Sequence, residues 1–176
     1  MSNDQPTGNS DGEQPGLTIS LDRVTRTRGQ VELRLRLDNP RTDRALHYVS
    51  QPRAIVRDDA TGVFEVRLTD EGREPIPGAV QLLPSLDRVD PSSTALLTVT
   101  LPDTIVRMSP MADPNGEIQL EELPLGADAT IEVVVGWSDT AYYPDPRERK
   151  GTAGAPHSGW EQAQSRVVVP PGAAKS

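Results

Sequence analysis

The chain has 176 residues, of which 35% are hydrophobic and 25% charged, and this suits about one folded domain. No apolar run approaches the roughly 18 residues of a membrane-spanning helix. The absence of cysteine excludes a disulfide framework, a thiolate metal site and a cysteine nucleophile. With 18 basic and 26 acidic residues the formal net charge is −8, which disfavours binding to nucleic-acid phosphates or to anionic membranes.

The two ends of the chain lack the apolar residues that a core requires. Residues 1–16 contain no aliphatic or aromatic side chain beyond Met1. We therefore predict a disordered tail over 1–16, a folded domain over 17–169 and a flexible tail over 170–176. The first residues have neither the basic nor the apolar region of a secretory signal, which predicts a cytoplasmic protein. Only two of the 18 basic residues are lysines, a usage that suggests a GC-rich bacterial genome.

Within the predicted domain, apolar and polar residues alternate with a period of two. The clearest case is Val31–Leu37, where every second residue is apolar and those between are charged. Such alternation places one face of a strand on a core and the other face in water. It predicts further strands at Leu17–Leu21, Phe64–Leu68, Leu97–Leu101 and Ile131–Val135, with a short last strand at Arg166–Val169. Weaker candidates are Leu46–Val49, Ala54–Arg57, Ala79–Leu82, Thr104–Met108 and Ile118–Leu120.

The segments between these strands favour turns rather than helices. Asp38–Pro40, Asp58–Gly62, Asp70–Gly72 and Asp113–Gly116 combine aspartate, asparagine, proline and glycine, which preset or tolerate turn backbone angles. The 17 prolines of the chain argue further against long helices. Many short strands with frequent turns predict an all-β fold, either a sandwich or a barrel.

Residues 123–135 carry a resemblance to a known family. They read LPLGADATIEVVV, and Leu123, Gly126, Ile131 and Val133 match the approach to strand F of fibronectin type III and related immunoglobulin-like bacterial modules. Ala129 stands where that family's corner places a tyrosine. The resemblance implies an immunoglobulin-like antiparallel β-sandwich of about seven to nine strands.

A long loop over residues 138–164 is the most unusual segment. It holds Tyr142, Tyr143 and Trp160, which are half of the six aromatic residues in the chain, and Trp137 lies at its base. Aromatic side chains often anchor protein interfaces, and Arg147 and Arg149 would supply a polar rim. We therefore interpret the chain as a non-enzymatic binding or accessory module that presents this loop to a partner protein. The alternative interpretation is that the aromatic residues fold back and cap the core.

Two other functions are also compatible with the sequence. The chain is alternatively a structural subunit of a self-assembling phage or secretion-type particle, whose strand edges contact neighbouring copies, so a homo-oligomer is possible. It is also alternatively a carbohydrate-binding module in which Trp160 and the tyrosines form a stacking platform. The missing secretion signal weighs against this last hypothesis.

The sequence assigns no catalytic residue and no cofactor. Ser138 or Ser158 could be combined with His157 and Asp139, but no Gly-x-Ser-x-Gly motif accompanies them. The hard oxygens of Asp113, Asn115 and Glu117 make a weak calcium candidate without the spacing of an EF-hand, and so do Asp58 and Asp59. We expect these segments to be ordinary turns, and the chain not to be an enzyme.

Overall fold

A computed structural model describes residues 15–70, 84–109, 116, 118–141 and 162–173. Eleven β-strands and no helix are found in these residues, so the prediction of an all-β fold is confirmed. The described part accordingly holds no helix long and apolar enough to cross a membrane. The candidate strand Ala79–Leu82 lies outside the described residues.

The strands are numbered in chain order. They are β1 (Thr18–Thr27), β2 (Gln30–Asp38), β3 (Leu46–Val49), β4 (Ala54–Arg57), β5 (Phe64–Leu68), β6 (Leu86–Val89), β7 (Thr94–Pro102), β8 (Thr104–Met108), β9 (Leu120–Pro124), β10 (Ile131–Ser138) and β11 (Ala163–Val169). Four of the predicted segments, those of β3, β4, β5 and β8, have the predicted bounds. Eleven strands in the described residues exceed the seven to nine expected from the sequence.

The first sheet has the order β1-β2-β7 and is antiparallel throughout. Its central strand β2 follows the predicted alternation, because Leu33, Leu35 and Leu37 are fully buried while Arg34 and Arg36 are exposed. Leu35 lies opposite Leu97 of β7. The inner face of this sheet is therefore a continuous layer of leucine and valine.

The second sheet is organised around β10. The edge of β10 that faces β11 pairs with it in antiparallel fashion from Ile131 to Trp137. The opposite edge is shared, because β5 runs parallel to it over residues 131–135 and β3 pairs antiparallel with residues 137–138. Strand β4 extends the sheet beyond β5, and β6 extends it beyond β3. The parallel β5–β10 pairing departs from the all-antiparallel arrangement that the sequence suggested.

One cluster of buried residues joins the two sheets. It includes Leu33, Leu35 and Val99 from the first sheet and Val133 and Val135 from the second, and all five are completely buried. The separate β8–β9 hairpin contributes Leu123 to the same cluster. The two sheets therefore share a single apolar core. Because side chains alternate across each strand, the other face of each sheet is the more polar one.

Long polar side chains cover the outer face of the second sheet. Val134 points to that face but is only 2% exposed. Its cross-strand neighbours are Arg67 of β5 and Arg166 of β11. The Arg166 guanidinium donates to Glu132 at 3.0 Å and to Glu65 at 3.3 Å, and Arg67 also pairs with Glu65. The arginine stems therefore cover the valine, while their guanidinium groups are neutralised by Glu65 and Glu132.

A side-chain amide extends this sheet beyond the end of β5. The amide oxygen of Gln162 accepts a hydrogen bond from the Asp70 N–H at 3.2 Å, and its nitrogen donates to the Asp70 carbonyl at 2.6 Å. The Gln162 side chain crosses Gly136, and a Cβ on Gly136 would overlap its amide. Glycine at position 136 therefore leaves room for the Gln162 amide, which a side chain at this position would have to displace.

Replacing Gly136 with alanine tests this bridge. We expect Gly136→Ala to lower the free energy of unfolding by about 1–3 kcal/mol, because displacing Gln162 removes two hydrogen bonds to the buried Asp70 backbone. Gln162→Ala should cost a similar amount. In the Gln162→Ala background, Gly136→Ala should cost much less, since nothing is left to displace. Urea denaturation measures the free energy of unfolding of all three variants. If the cost in the double variant equals the sum of the two single costs, the Gln162 bridge is contradicted.

Candidate functional site

The β2–β3 connection and the residues that follow β10 meet at one end of the two sheets. Asn39 begins this connection and is only 2% exposed. Its side-chain amide donates to the carbonyls of Arg44, Val89 and Asp90 at 3.0–3.2 Å, and its oxygen accepts from the Arg41 N–H at 3.0 Å. One buried side chain therefore holds the connection over residues 39–45 against the end of β6.

This connection presents two arginines to Asp139, the first residue after β10. Arg44 Nη1 lies 2.9 Å from Asp139 Oδ2, and Arg41 Nη1 lies 3.5 Å from the same oxygen. The Asp139 side chain is 42% exposed and that of Arg41 only 11%. Both arginines lie nearly 100 residues away in the chain, so the pairs join the β2–β3 connection to the residue at which the chain leaves β10.

Trp137 packs against both the β2–β3 connection and β11 at this end of the sheets. The Arg41 guanidinium carbon lies 5.7 Å from the centre of the Trp137 ring, within the range of a cation–π contact. The indole N–H donates to the Ser165 hydroxyl at 2.9 Å, and that hydroxyl donates to the Leu17 carbonyl. Trp137 thus connects β10 to β11 and to the residues that precede β1.

Gly16 allows the backbone immediately before β1 to lie against this indole. A Cβ on Gly16 would overlap the six-membered ring of Trp137. Beside it, Arg41 Nε donates to the Pro15 carbonyl at 2.9 Å. We call Asn39, Arg41, Arg44, Trp137 and Asp139 the loop-base cluster.

His47 borders the loop-base cluster, because it pairs with Ser138 across β3 and β10. Partial burial lowers the pKa of His47, the Arg88 charge lowers it further, and the Asp139 carboxylate opposes both. The folded state therefore binds this proton less readily than the unfolded chain, whose histidine titrates near pH 6.5.

The shift predicts a loss of stability on acidification. The contribution of neutral His47 is fully present above about pH 6.5 and is lost as the pH falls toward the lower pKa of the folded state. We expect His47→Gln to lose less stability than the wild type between about pH 7 and pH 5. Urea denaturation at a series of pH values measures this, and parallel stability curves for the two proteins would contradict it.

Most of the site residues predicted from sequence lie outside the described residues. These are Tyr142, Tyr143, Trp160, Arg147 and Arg149 of the long loop, His157 and Ser158, and the calcium candidates Asp113, Asn115 and Glu117. Ser138 and Asp139 are described. The Ser138 hydroxyl accepts from the Thr140 N–H at 3.3 Å, while Asp139 binds the two arginines.

The carboxylates of Asp58 and Asp59 are engaged within the protein, Asp58 by the turn itself and Asp59 by arginines of β4 and β8. Asp58 Oδ1 accepts from the N–H of Ala60 at 2.8 Å, which lowers the pKa of Asp58. Asp59 binds Arg107 at 2.7 Å and Arg57 at 3.2 Å. In the part of the chain that the structure describes, no three histidine, aspartate or glutamate side chains form a group that could hold a metal ion.

No protein-family model matches the chain, and neither a curated protein nor a solved structure resembles it significantly.

Nothing in the sequence pattern alone distinguishes Asn39, Arg41 and Arg44 as functional residues. Asn39 stands in an Asp-Asn-Pro sequence that predicts a turn, and it begins the connection after β2, but its burial depends on the distant β6. Arg41 and Arg44 are two of 16 arginines, and no local pattern distinguishes them from the others. For Trp137, the sequence indicates only a position at the base of the long loop.

Proposed function

We propose that the chain is an immunoglobulin-like sandwich that binds a partner protein through the end where the loop-base cluster lies. The observation that carries the proposal is the clamping of Asp139 by Arg41 and Arg44. It places the starts of two connections, 39–45 and 139–162, side by side at one end of the sheets. Loops held by a rigid sheet framework are the usual carriers of recognition.

The strand order supports the immunoglobulin-like assignment. In that fold, strands A, B and E share one sheet and strands C, F and G share the other. Here β1-β2-β7 takes the A-B-E positions, while β3, β10 and β11 take those of C, F and G. The sequence resemblance over Leu123–Val135 also implies that β10 corresponds to strand F. Strand β6 pairs with β3 and so takes the position of C′.

Two hairpins distinguish this chain from the simplest immunoglobulin-like pattern. In chain order, β4 and β5 come between the strands at the C and C′ positions, and β8 and β9 come between those at E and F. Strand β5 occupies part of the β10 edge that strand C would otherwise fill. In this assignment, residues 39–45 form the B–C connection and residues 139–162 the F–G connection. These are two of the three connections with which antibody variable domains contact antigen.

The composition of the long connection supports a protein partner. Tyr142, Tyr143 and Trp160 are the proposed anchors, and Arg147 and Arg149 the proposed rim. The loop-base cluster itself is already internally satisfied, since its carboxylate is bound by arginines and its indole N–H by Ser165. The described part of this end therefore acts as a support, and the contacts that recognise a partner are assigned to the residues of the long connection.

Affinity capture from the native host tests the proposal. The wild type should retain a discrete partner that the combined Tyr142→Ala, Tyr143→Ala and Trp160→Ala variant does not. Leu96→Ala and Val168→Ala, at exposed apolar positions on the two sheets, are matched controls and should leave capture unchanged. Unchanged partners with the triple variant would overturn the proposal.

A charge-reversal variant keeps the test decisive if the triple variant unfolds. Arg147→Glu with Arg149→Glu changes the proposed rim without removing apolar area. We expect it to weaken capture about tenfold or more while the melting temperature stays within a few degrees of the wild type. Full capture by a folded double variant would count against the proposal in the same way.

A further inference from the structure

The outer face of the second sheet contains a polar cleft. Its volume is about 230 Å³, the space that roughly seven water molecules take up in the liquid. A ligand of about six to eight non-hydrogen atoms would fill such a volume. Five polar residues and one valine line this outer-face cleft: Glu65, Arg67, Thr69, Val134, Gln164 and Arg166.

Two arginines form the sides of the outer-face cleft. Arg67 of β5 and Arg166 of β11 lie on either side of Val134, which forms the floor. Glu65 binds both arginines, and its hydrogen bond with Arg67 lowers the pKa of Glu65, so this carboxyl group is ionised at neutral pH. The lining therefore holds two positive charges and one negative charge. Glu132, which also binds Arg166, is not part of the lining.

Arg166 keeps two hydrogen-bond donors for a ligand. Its Nη1 atom makes both of its ion pairs, with Glu65 at 3.3 Å and with Glu132 at 3.0 Å. In the part of the chain that the structure describes, its Nε and Nη2 atoms donate to no acceptor. These two nitrogens lie along one edge of the guanidinium plane and match the two oxygens of a carboxylate.

Thr69 supplies a second, independent observation. It follows the outward-facing Glu65 and Arg67 at the end of β5, and it is only 3% exposed. Its hydroxyl is buried and, among the described residues, has no hydrogen-bond partner. An unpaired buried hydroxyl destabilises the folded state, so such groups are rare and call for a specific explanation. A ligand in the cleft would give this hydroxyl its partner.

We propose that the outer-face cleft binds a small hydrophilic monocarboxylate. The free edge of the Arg166 guanidinium binds the carboxylate, the Thr69 hydroxyl adds a hydrogen bond, and Glu65 accepts from a hydroxyl group of the ligand. The ligand is hydrophilic because only Val134 in the lining is apolar, and it is 2% exposed. A phosphate dianion fits less well, since Glu65 repels the second negative charge.

This site is separate from the proposed recognition of a partner protein. None of the residues that line the outer-face cleft belongs to the loop-base cluster. The failure of one proposal therefore leaves the other standing, and the two can be tested on the same chain.

Titration of the isotope-labelled full chain with lactate tests the site by NMR. Lactate combines one carboxylate with one hydroxyl and is small enough for the cleft. The backbone amide signals of residues 65–69, 132–136 and 164–166 should shift saturably, with a dissociation constant in the millimolar range that is usual for so small a ligand. Lactamide, which has the same shape without the charge, and inorganic phosphate should each bind at least about tenfold more weakly.

Thr69→Val replaces the hydroxyl with a methyl group of similar size. It should raise the dissociation constant of lactate about five- to tenfold. In the free chain it should raise the melting temperature by about 2–4 °C, because an unpaired buried hydroxyl is removed. A lower melting temperature would show that the hydroxyl already has a partner in the free chain and would count against the site. Thr98→Val, at an exposed threonine of the first sheet, is the matched control and should change neither quantity.

Arg166→Lys separates hydrogen-bond geometry from charge. Lysine keeps the positive charge but does not present two donors along one edge, so the dissociation constant should rise about tenfold. The melting temperature should stay within a few degrees of the wild type. Three results would each overturn the proposal: no saturable shift at the cleft residues, equal affinity for lactamide or phosphate, or a dissociation constant that Thr69→Val and Arg166→Lys leave unchanged.

Discussion

Replacing Asn39 with aspartate is expected to cost about 3 kcal/mol of unfolding free energy or more. The wild-type side chain is 2% exposed, and its amide faces the carbonyl oxygens of Arg44, Val89 and Asp90. A carboxylate at this position would present negative charge to three acceptors in a buried site. Urea denaturation at neutral pH measures the loss.

The pH dependence of this variant provides an internal check. Burial beside acceptors would raise the pKa of the introduced carboxyl above its unfolded value, since only the protonated acid can donate a hydrogen bond. The cost of Asn39→Asp should therefore shrink as the pH falls through that raised pKa. Asn39→Ala removes the same bonds without a charge and should cost about 2 kcal/mol at every pH. Costs below about 0.5 kcal/mol for both variants would mean that Asn39 does not hold the connection.

Truncating Leu35 to alanine is expected to cost about 2–5 kcal/mol, the usual range for a leucine in a closed core. Leu35 is completely buried on the central strand β2 and lies opposite Leu97 of β7. The matched control is Leu96→Ala. Leu96 directly precedes Leu97 on β7 but points to the outer face, where it is 52% exposed. This control should change stability by less than about 0.5 kcal/mol. Equal costs at the two positions would contradict a core that lies between two facing sheets.

Strands with strict alternation were predictable from the sequence because burial on one face enforces a period of two. Residues 31–37, 64–68 and 97–101 show this, and each lies within or coincides with an observed strand. Strand β6 was not predicted, since Leu86–Val89 has apolar residues only at its ends. It is a strand because β3 supplies its backbone partners. Pairing between distant strands, such as the parallel β5–β10 pair, leaves no mark on local sequence.

The loop-base cluster was less predictable than the fold. The sequence indicated a functional loop after Trp137, because aromatic residues are concentrated there. It did not reveal Arg41, Arg44 or Asn39, whose roles depend on contacts with residues about 50–100 positions away. Charge pairs of this kind follow from the fold and become visible only when the strands have been placed.

Amide hydrogen exchange on the complex with the captured partner tests the central claim most directly, which is that recognition takes place at the loop-base end of the sandwich. We predict that partner binding slows exchange chiefly in residues 39–45 and 139–162. Exchange in the β8–β9 hairpin and in the outer faces of both sheets should stay close to that of the free chain. Slowed exchange confined to the hairpin or to either sheet face, with no change in residues 39–45 and 139–162, would contradict the account.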